Sequence, residues 1–455
     1  MKYEFKGKTV LVVGTGVSGI ASYDLLKKMR ANPVLFDGNK DLKIEEVKNS
    51  TIDGSRAKVY AGEIPEDVFE SISLAVLSPG VPTDTGFALT LKEKNIPFIG
   101  EIELAYQAAK GKLLAITGTN GKTTTTALCG AIAADYFEQT FVVGNIGIPY
   151  TSVALEMKKE SVTVAEISSF QLETISEFHP NVSAILNITP DHLNRHHTMD
   201  NYIAAKKAIC MNQTKEDVCV LNAEDPVLAE FAKDCPATVL LFSSGKEVAN
   251  GCFLKEDDIY FAQDGKSIKL MNIHDMLLLG THNVENVMAA ICITFSVGIP
   301  LASIVNTVKT FRAVEHRIEF VTTKKGVDYY NDSKGTNPDA AIKGVMAMNR
   351  PTVLIGGGYD KESTYDEWIQ CFDRRVKALV LIGQTAEKIE ACARKHGFMN
   401  IHRAGSLEEA VAICARLAKS GDAVLLSPAC ASWGMFPNYE VRGRIFKDLV
   451  HKLED

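Results

Sequence analysis

Two residues near position 122 have the right types and spacing for phosphate chemistry. They are Lys122 and Thr123, in the stretch Leu113-Leu-Ala-Ile-Thr-Gly118-Thr119-Asn120-Gly121-Lys122-Thr123-Thr124. An ammonium can reach the outer phosphates of a nucleotide, and a hydroxyl can ligate Mg2+. Gly118 and Gly121 make the turn passable, so that its N–H groups and those of the following helix point at an anion. The general phosphate-loop pattern has a glycine where Ile116 stands, so this is a shortened variant. Glu166 closes the apolar run Val162 to Ile167, and a carboxylate at a strand exit beside a phosphate loop is placed to hold Mg2+. His192 follows another apolar run, Val182 to Ile188, in Thr189-Pro190-Asp191-His192. Lys206, in Tyr202-Ile-Ala-Ala-Lys206, reads on spacing alone as a solvent-facing charge.

These groups need strands that end together. Leu113 to Ile116, Phe141 to Val143 and the two runs above predict a parallel sheet with its turns at one edge, Gly144-Asn145-Ile146-Gly147 among them. Short runs from Val218 to Leu270 predict further strands closing this domain. An apolar helix is expected over Val287 to Val297, after Gly280-Thr-His282-Asn283-Val-Glu-Asn286. Upstream, Thr9 to Val13 leads into Gly14-Thr-Gly16-Val17-Ser18-Gly19 and a helix, the arrangement that seats a diphosphate at a helix N-terminus. Asp37 ends a second strand eighteen residues beyond Gly19, and Leu74 to Leu77 ends in Ser78-Pro79-Gly80. Downstream, strands at Val327, Val353, Ala378 and Ala423 alternate with helices, predicting another doubly wound sheet. Their ends carry Asn331-Asp332-Ser333-Lys334-Gly335-Thr336-Asn337, Gly356-Gly-Gly-Tyr-Asp-Lys361 and Ser427-Pro-Ala-Cys430-Ala-Ser432. Cys430 reads as a buried packing residue, since no histidine lies near it in sequence. The fold class is therefore α/β in three domains: a Rossmann-like domain over 1–111, a P-loop ATPase-type domain over 112–310, and a doubly wound Rossmann-like domain over 311–455.

The 455 residues carry 49 Lys and Arg against 56 Asp and Glu, with no basic block, which argues against a nucleic-acid surface. The ten cysteines are singly spaced with no Cys-x-x-Cys pair, arguing for a reducing compartment and against a structural zinc site. A charged N-terminus and the lack of an 18-residue apolar run predict a cytoplasmic protein without membrane contact. A monomer is expected.

The glycine and strand-end motifs, together with Asn222-Ala-Glu-Asp225-Pro and His316-Arg317, run in an order that resembles the Mur ligase family over nearly the whole chain. The likeness is greatest to the branch that adds D-glutamate to UDP-N-acetylmuramoyl-L-alanine; an Asp-x-Asn-Pro motif of the diaminopimelate- or lysine-adding branch is missing. The resemblance implies an ATP-dependent amide ligase of peptidoglycan synthesis, working through an acyl phosphate. It implies that Gly118 to Thr124, Asn283, Asn286, Arg317 and Asp332 bind ATP. Two Mg2+ sites would use Thr123 and Glu166, and His192 with Lys206 as a carbamate. Val17, Ser18, Asp37, Ser78, Gly80, Asn145 and His192 would meet the UDP substrate. Lys334, Thr336, Lys361, Ser432 and Tyr439 would receive D-glutamate, a dicarboxylate suited to lysines and hydroxyls. Two places after Asp37, where the family often has a basic residue, this chain has Asn39, with Lys40 next. Rival readings are a neighbouring Mur ligase, a dinucleotide-dependent dehydrogenase built on Gly14-x-Gly16-x-x-Gly19, and a non-catalytic nucleotide binder.

Overall fold

The structure, a computed structural model, describes residues 3–84, 86–312 and 314–454. Among them the strands form three sheets. In the first, β1 (Thr9–Val13), β2 (Asn32–Asp37), β3 (Val59–Ala61), β4 (Ile72–Leu77) and β5 (Phe98–Gly100) run parallel in the order β3-β2-β1-β4-β5. Thr9 aside, β1 is wholly buried, as its unbroken apolar run requires of a central parallel strand. The edge strands β3 and β5 have three residues each, too few for periodicity to reveal them.

The second sheet holds β6 (Lys112–Thr117), β7 (Thr140–Gly144), β8 (Val162–Glu166), β9 (Val182–Ile185), β10 (Val218–Asn222), β11 (Thr238–Ser243), β12 (Gly251–Lys255), β13 (Asp258–Gln263) and β14 (Lys266–Asn272). Their order is β14-β13-β12-β11-β10-β9-β6-β8-β7. The strands from β7 to β12 pair in parallel, and β13 and β14 add an antiparallel edge. β9 stops at Ile185, short of the expected Ile188, because the backbone of Leu186 to Thr189 turns to bond the phosphate loop. The first two sheets share one apolar core, in which Val10 and Leu35 join Leu113, Ala165 and Leu221, and lie in a single compact unit, Met1–Asp275 with Glu285–Lys309.

The second unit comprises Met276–Val284 and Thr310–Asp455. Its sheet is β15 (Glu319–Lys324), β16 (Val327–Asn331), β17 (Thr352–Gly356), β18 (Val376–Leu381), β19 (Ile401–Arg403) and β20 (Ala423–Leu426), ordered β15-β16-β20-β17-β18-β19. Only β15 pairs antiparallel. Alternate residues of one strand enter different cores, Leu354 one and Val353 and Ile355 the other, so both faces are covered, as a doubly wound sheet demands. The long helix expected from Val287 begins earlier, at Thr281, and runs to Phe295. Gly280, at φ +93°, makes the turn into it, so Asn283 and Asn286 lie within the helix rather than before it.

Candidate functional site

The phosphate loop leaves β6 at Thr117 and enters helix Lys122–Ala134 through Gly121, whose φ of +86° suits glycine. A Cβ at Gly121 would lie 2.3 Å from Asn286 Oδ1, so the close approach also demands glycine. No side chain caps this N-terminus and no acid stands in its first turn, where Thr123 is buried and Thr124 partly exposed. Such an end attracts an anion. Lys122 folds back on its own loop, donating to the carbonyls of Gly118 at 2.8 Å and Thr119 at 2.9 Å. Lys206 is buried, against the solvent-facing reading of its spacing, and donates to that same Gly118 carbonyl at 2.8 Å. Burial, and then the charge of Lys122, push its pKa down to about 7.

Glu166 ends β8, paired with Ile116 of β6, and is buried. Its Oε1 accepts from Asn145 Nδ2 at 2.7 Å, while its Oε2 has no hydrogen-bond partner among the described residues. A buried carboxylate oxygen without a donor is costly unless a ligand answers it. Asn145 also donates its backbone N–H to the Glu166 carbonyl at 2.8 Å. Immediately beyond Glu166, Ser168 and Gln171 form a reciprocal capping box that fixes the strand exit. His192 sits at φ +52° with its side chain half exposed, and its ring packs on Phe170, centroids 4.8 Å apart.

Several residues that sequence reasoning passed over hold this cluster. Asn187 Oδ1 accepts from Asn120 N at 2.8 Å, its amide donates to the Asn120 carbonyl at 3.1 Å, and its own carbonyl accepts from Thr119 N. Tyr202 hydroxyl lies 3.0 Å from Thr119 Oγ1. Arg195 bonds the Val81 carbonyl at 2.9 Å and Glu173 at 2.7 Å, tying the loop after β4 to the central sheet. Asn187 stands two residues before Thr189-Pro190, and that proximity to a motif was its only signal.

In the first sheet, helix Val17–Lys28 starts at Gly16 without a side-chain cap. Val17 is 75% exposed, beside a cavity of about 550 Å3 lined by Thr15, Gly16, Ile20, Pro149 and Ser152 among others. Ser18 starts the same helix, and Ser78 Oγ is buried without a partner among the described residues. A Cβ on Gly14 would lie 2.6 Å from that oxygen. Asp37 is committed to the turn: its Oδ2 accepts from Thr15 Oγ1 at 2.8 Å and Thr15 N at 3.2 Å. Gly80 is exposed in the loop beyond β4.

The remaining sequence-derived residues, apart from Asn286, belong to the second unit. Asp332, at the end of β16, accepts from Ser427 Oγ at 2.7 Å, and burial pushes its pKa up to about 7. Its neighbour Ser333 is gripped by Arg442, which is fully buried. Arg442 Nε donates to Ser333 Oγ at 2.9 Å, and its terminal nitrogens donate to the carbonyls of Ser333 at 2.7 Å and Cys430 at 3.1 Å. Lys334 lies over the Tyr439 ring at 5.2 Å and Lys361 over the Trp433 ring at 4.7 Å. Ser432 is buried nearby in sequence, Thr336 is partly exposed, and Asn283 donates to the Leu279 carbonyl at 2.7 Å. Arg317 lies close enough to stabilise the Asp332 carboxylate, lowering its pKa against the larger effect of burial. Cys430 is buried between Tyr365 hydroxyl at 3.1 Å and Thr385 Oγ1 at 3.3 Å, and burial raises its thiol pKa, the environment of an inert thiol.

Three family descriptions match in chain order: the Mur ligase MurD-like N-terminal domain over residues 8–100, the Mur ligase middle domain over 116–294, and the Mur ligase glutamate ligase domain over 316–430. A curated relative from Lachnospira eligens is 58% identical over 450 residues, covering 99% of this chain and 100% of that one. Another, from Clostridioides difficile, is 48% identical over 452 residues with the same coverage. Both are named UDP-N-acetylmuramoylalanine--D-glutamate ligase. Among solved structures, the UDP-N-acetylmuramate-alanine ligase of Thermotoga maritima matches at TM-score 0.59 and 18% identity, over 98% of this chain and 99% of that one. The MurF ligase of the same organism in complex with ADP matches at TM-score 0.58 and 18% identity, over 99% and 96%. These two carry the fold, and the curated relatives carry the kinship: the chain belongs to the Mur ligase family.

Proposed function

We propose that this chain is the ATP-dependent ligase that adds D-glutamate to UDP-N-acetylmuramoyl-L-alanine in peptidoglycan precursor synthesis. One observation carries the chemistry: two lysines share the Gly118 carbonyl at an uncapped helix N-terminus, one strand away from a carboxylate with an oxygen unanswered among the described residues. That arrangement suits a polyphosphate with a divalent cation. The substrate assignment rests on the relatives' names and on their full-length identity.

The substrate's alanyl carboxylate attacks the γ-phosphorus of ATP, ADP leaves, and an acyl phosphate forms. The amine of D-glutamate then attacks the acyl carbon, phosphate leaves, and the amide results. Lys122 would move from the loop carbonyls onto the transferring phosphoryl group, and the N–H groups of Gly118 to Thr124 would cradle the phosphates. Glu166 and Thr123 fit one Mg2+ site, since Glu166 Oε2 lacks a donor among the described residues. His192 and Lys206 fit a second, because a lysine with a pKa near 7 supplies the neutral amine that reacts with CO2 to give an anionic carbamate. When bound, Mg2+ neutralises phosphate charge and polarises the phosphoryl group.

The remaining roles follow the same reading. Asn283, Asn286, Arg317 and Asp332 serve the nucleotide, Arg317 its phosphates and Asp332 its ribose. Val17, Ser18 and Asp37 serve the uracil, with Ser78 and Gly80 at the diphosphate and Asn145 and His192 near the reacting carboxylate. Ser78 Oγ, without a partner among the described residues, supports this, whereas Asp37 is already engaged by Thr15. Lys334, Thr336, Lys361, Ser432 and Tyr439 receive D-glutamate. The division into domains at 1–111, 112–310 and 311–455, the monomeric state and the cytoplasmic location belong to this proposal. No helix among the described residues is long and apolar enough to cross a membrane.

The test is phosphate release from Mg2+ and ATP with UDP-N-acetylmuramoyl-L-alanine, comparing D-glutamate with L-glutamate, L-alanine, L-lysine and meso-diaminopimelate. Release with D-glutamate alone, and a product heavier by one glutamyl residue, is expected. Release with another amino acid would move the chain to a different branch of the family.

A further inference from the structure

Singly spaced cysteines argue against a metal site only while they stay apart, and three of them meet. Cys210 ends the 3-10 turn Ala208–Cys210, Cys219 lies in β10, and Cys235 stands in the segment leading to β11. All three are buried, and their sulfurs lie within 4.8 Å of one another. Zinc–sulfur bonds of ~2.3 Å hold ligand sulfurs roughly 3.8–4.0 Å apart, so sub-ångström adjustments would close the set. We propose that Cys210, Cys219 and Cys235 form a binding site for a divalent thiophilic cation of the zinc class.

On binding, three sulfur–metal bonds form and three thiol protons pass to solvent. Three thiolates and a divalent ion leave one negative charge. Lys215 answers it: its ammonium is held on the carbonyls of Cys235 and Ala237, each at 2.9 Å. Cys210 Sγ donates to the Lys207 carbonyl at 3.2 Å, a bond given up when that thiol is deprotonated. Cys235 is flanked by the exposed Asp234 and the half-buried Pro236. Cys210 also follows Lys206 by four residues, where helix Met199–Lys207 runs into the 3-10 turn. Ligation there would pin the end of that helix to β10.

A second triad, Asp366, Cys392 and His396, makes a useful contrast. Asp366 Oδ1 already accepts from His396 at 2.8 Å and from the Lys395 ammonium at 2.9 Å, so a cation's place is taken.

The experiment titrates the reduced, chelator-treated full-length protein with Co2+ and separately with Cd2+, without nucleotide. The expected result is one equivalent of metal with thiolate-to-metal charge-transfer absorption, displaced by Zn2+, and a Tm that rises with metal concentration by mass action. Cys235→Ser or Cys219→Ser should weaken binding by more than the ~10–100-fold typical of losing an outer-sphere partner, with Cys392→Ser unchanged. Absence of the absorption in the unsubstituted protein overturns the site, and that reading stands whether or not a variant folds. Full binding in Cys235→Ser, or loss in Cys392→Ser, overturns it as well.

Discussion

At the ends of β6 and β8, Lys122 and Lys206 crowd one carbonyl, and Glu166 keeps an oxygen unanswered among the described residues. At the ends of β16 and β20 the reverse holds. Arg442 spends all three nitrogens on Ser333 and Cys430, and Ser427 answers Asp332. Both clusters occupy the carboxyl edge of a parallel sheet, where loops from neighbouring strands converge. The first is left electrostatically incomplete and so is prepared for ligands, whereas in the second Arg442 and Ser427 brace from within the loop that carries Lys334 and Thr336. Sheet topology selects the place, and side-chain pairing decides which groups there brace the loop and which are left to bind.

If that contrast is right, substitutions in the two clusters should fail differently. Arg442→Ala should have the largest effect, destabilising the second unit by ~3–5 kcal/mol, because it opens a cavity and strips donors from buried carbonyls. Urea unfolding measures it, and a loss below about 1 kcal/mol would break the idea of an internal brace. Lys122→Ala should leave unfolding nearly unchanged while lowering kcat by at least ~10²-fold, the scale of one preorganised electrostatic contact. Near-normal turnover in steady-state phosphate release would remove the loop from the chemistry.

A further pair of effects lies in pH dependence, where the clusters should oppose each other. Lys206 has a folded pKa of about 7 against an ordinary 10.5, so the unfolded chain binds more protons between those values. In bicarbonate-free buffer its contribution to stability therefore grows from pH 7 to 10.5 and is lost as pH falls toward 7, and Lys206→Met should flatten that rise. Asp332 has a folded pKa of about 7 against an ordinary 3.8, so here the native state holds the extra proton. Its contribution is present below 3.8 and is lost as pH rises through 7, a decline that Asp332→Asn should remove. Chemical unfolding of each variant across pH 4 to 10 checks both, and slopes of the same sign would erase the contrast.

Much of this molecule was legible along the chain. Central strands such as β1, β6 and β20 are buried on both faces and announce themselves as unbroken apolar runs, and glycines mark the turns beyond them. The phosphate loop, Glu166, and the loops bearing Asp332 and Ser432 follow from those local signals. The short edge strands β3 and β5 did not show, because three residues carry no period, whereas the longer edges β7 and β14 did.

Other features arise only when distant segments meet. The spacing of Lys206 describes a surface charge, and only packing against Gly118 and Lys122 makes it a buried amine with a lowered pKa. Asn187 becomes a brace because β9 ends early enough for its backbone to reach Thr119. Arg442 becomes a keystone because a helix near the C-terminus delivers it to Ser333, 109 residues away. Sequence by itself determined which segments could be strands, turns and phosphate cradles, since those depend on neighbours along the chain. Tertiary structure decided burial, and with it which charges are strained, which are satisfied, and which thiols share a site, because desolvation and pairing depend on distances that the chain order does not contain.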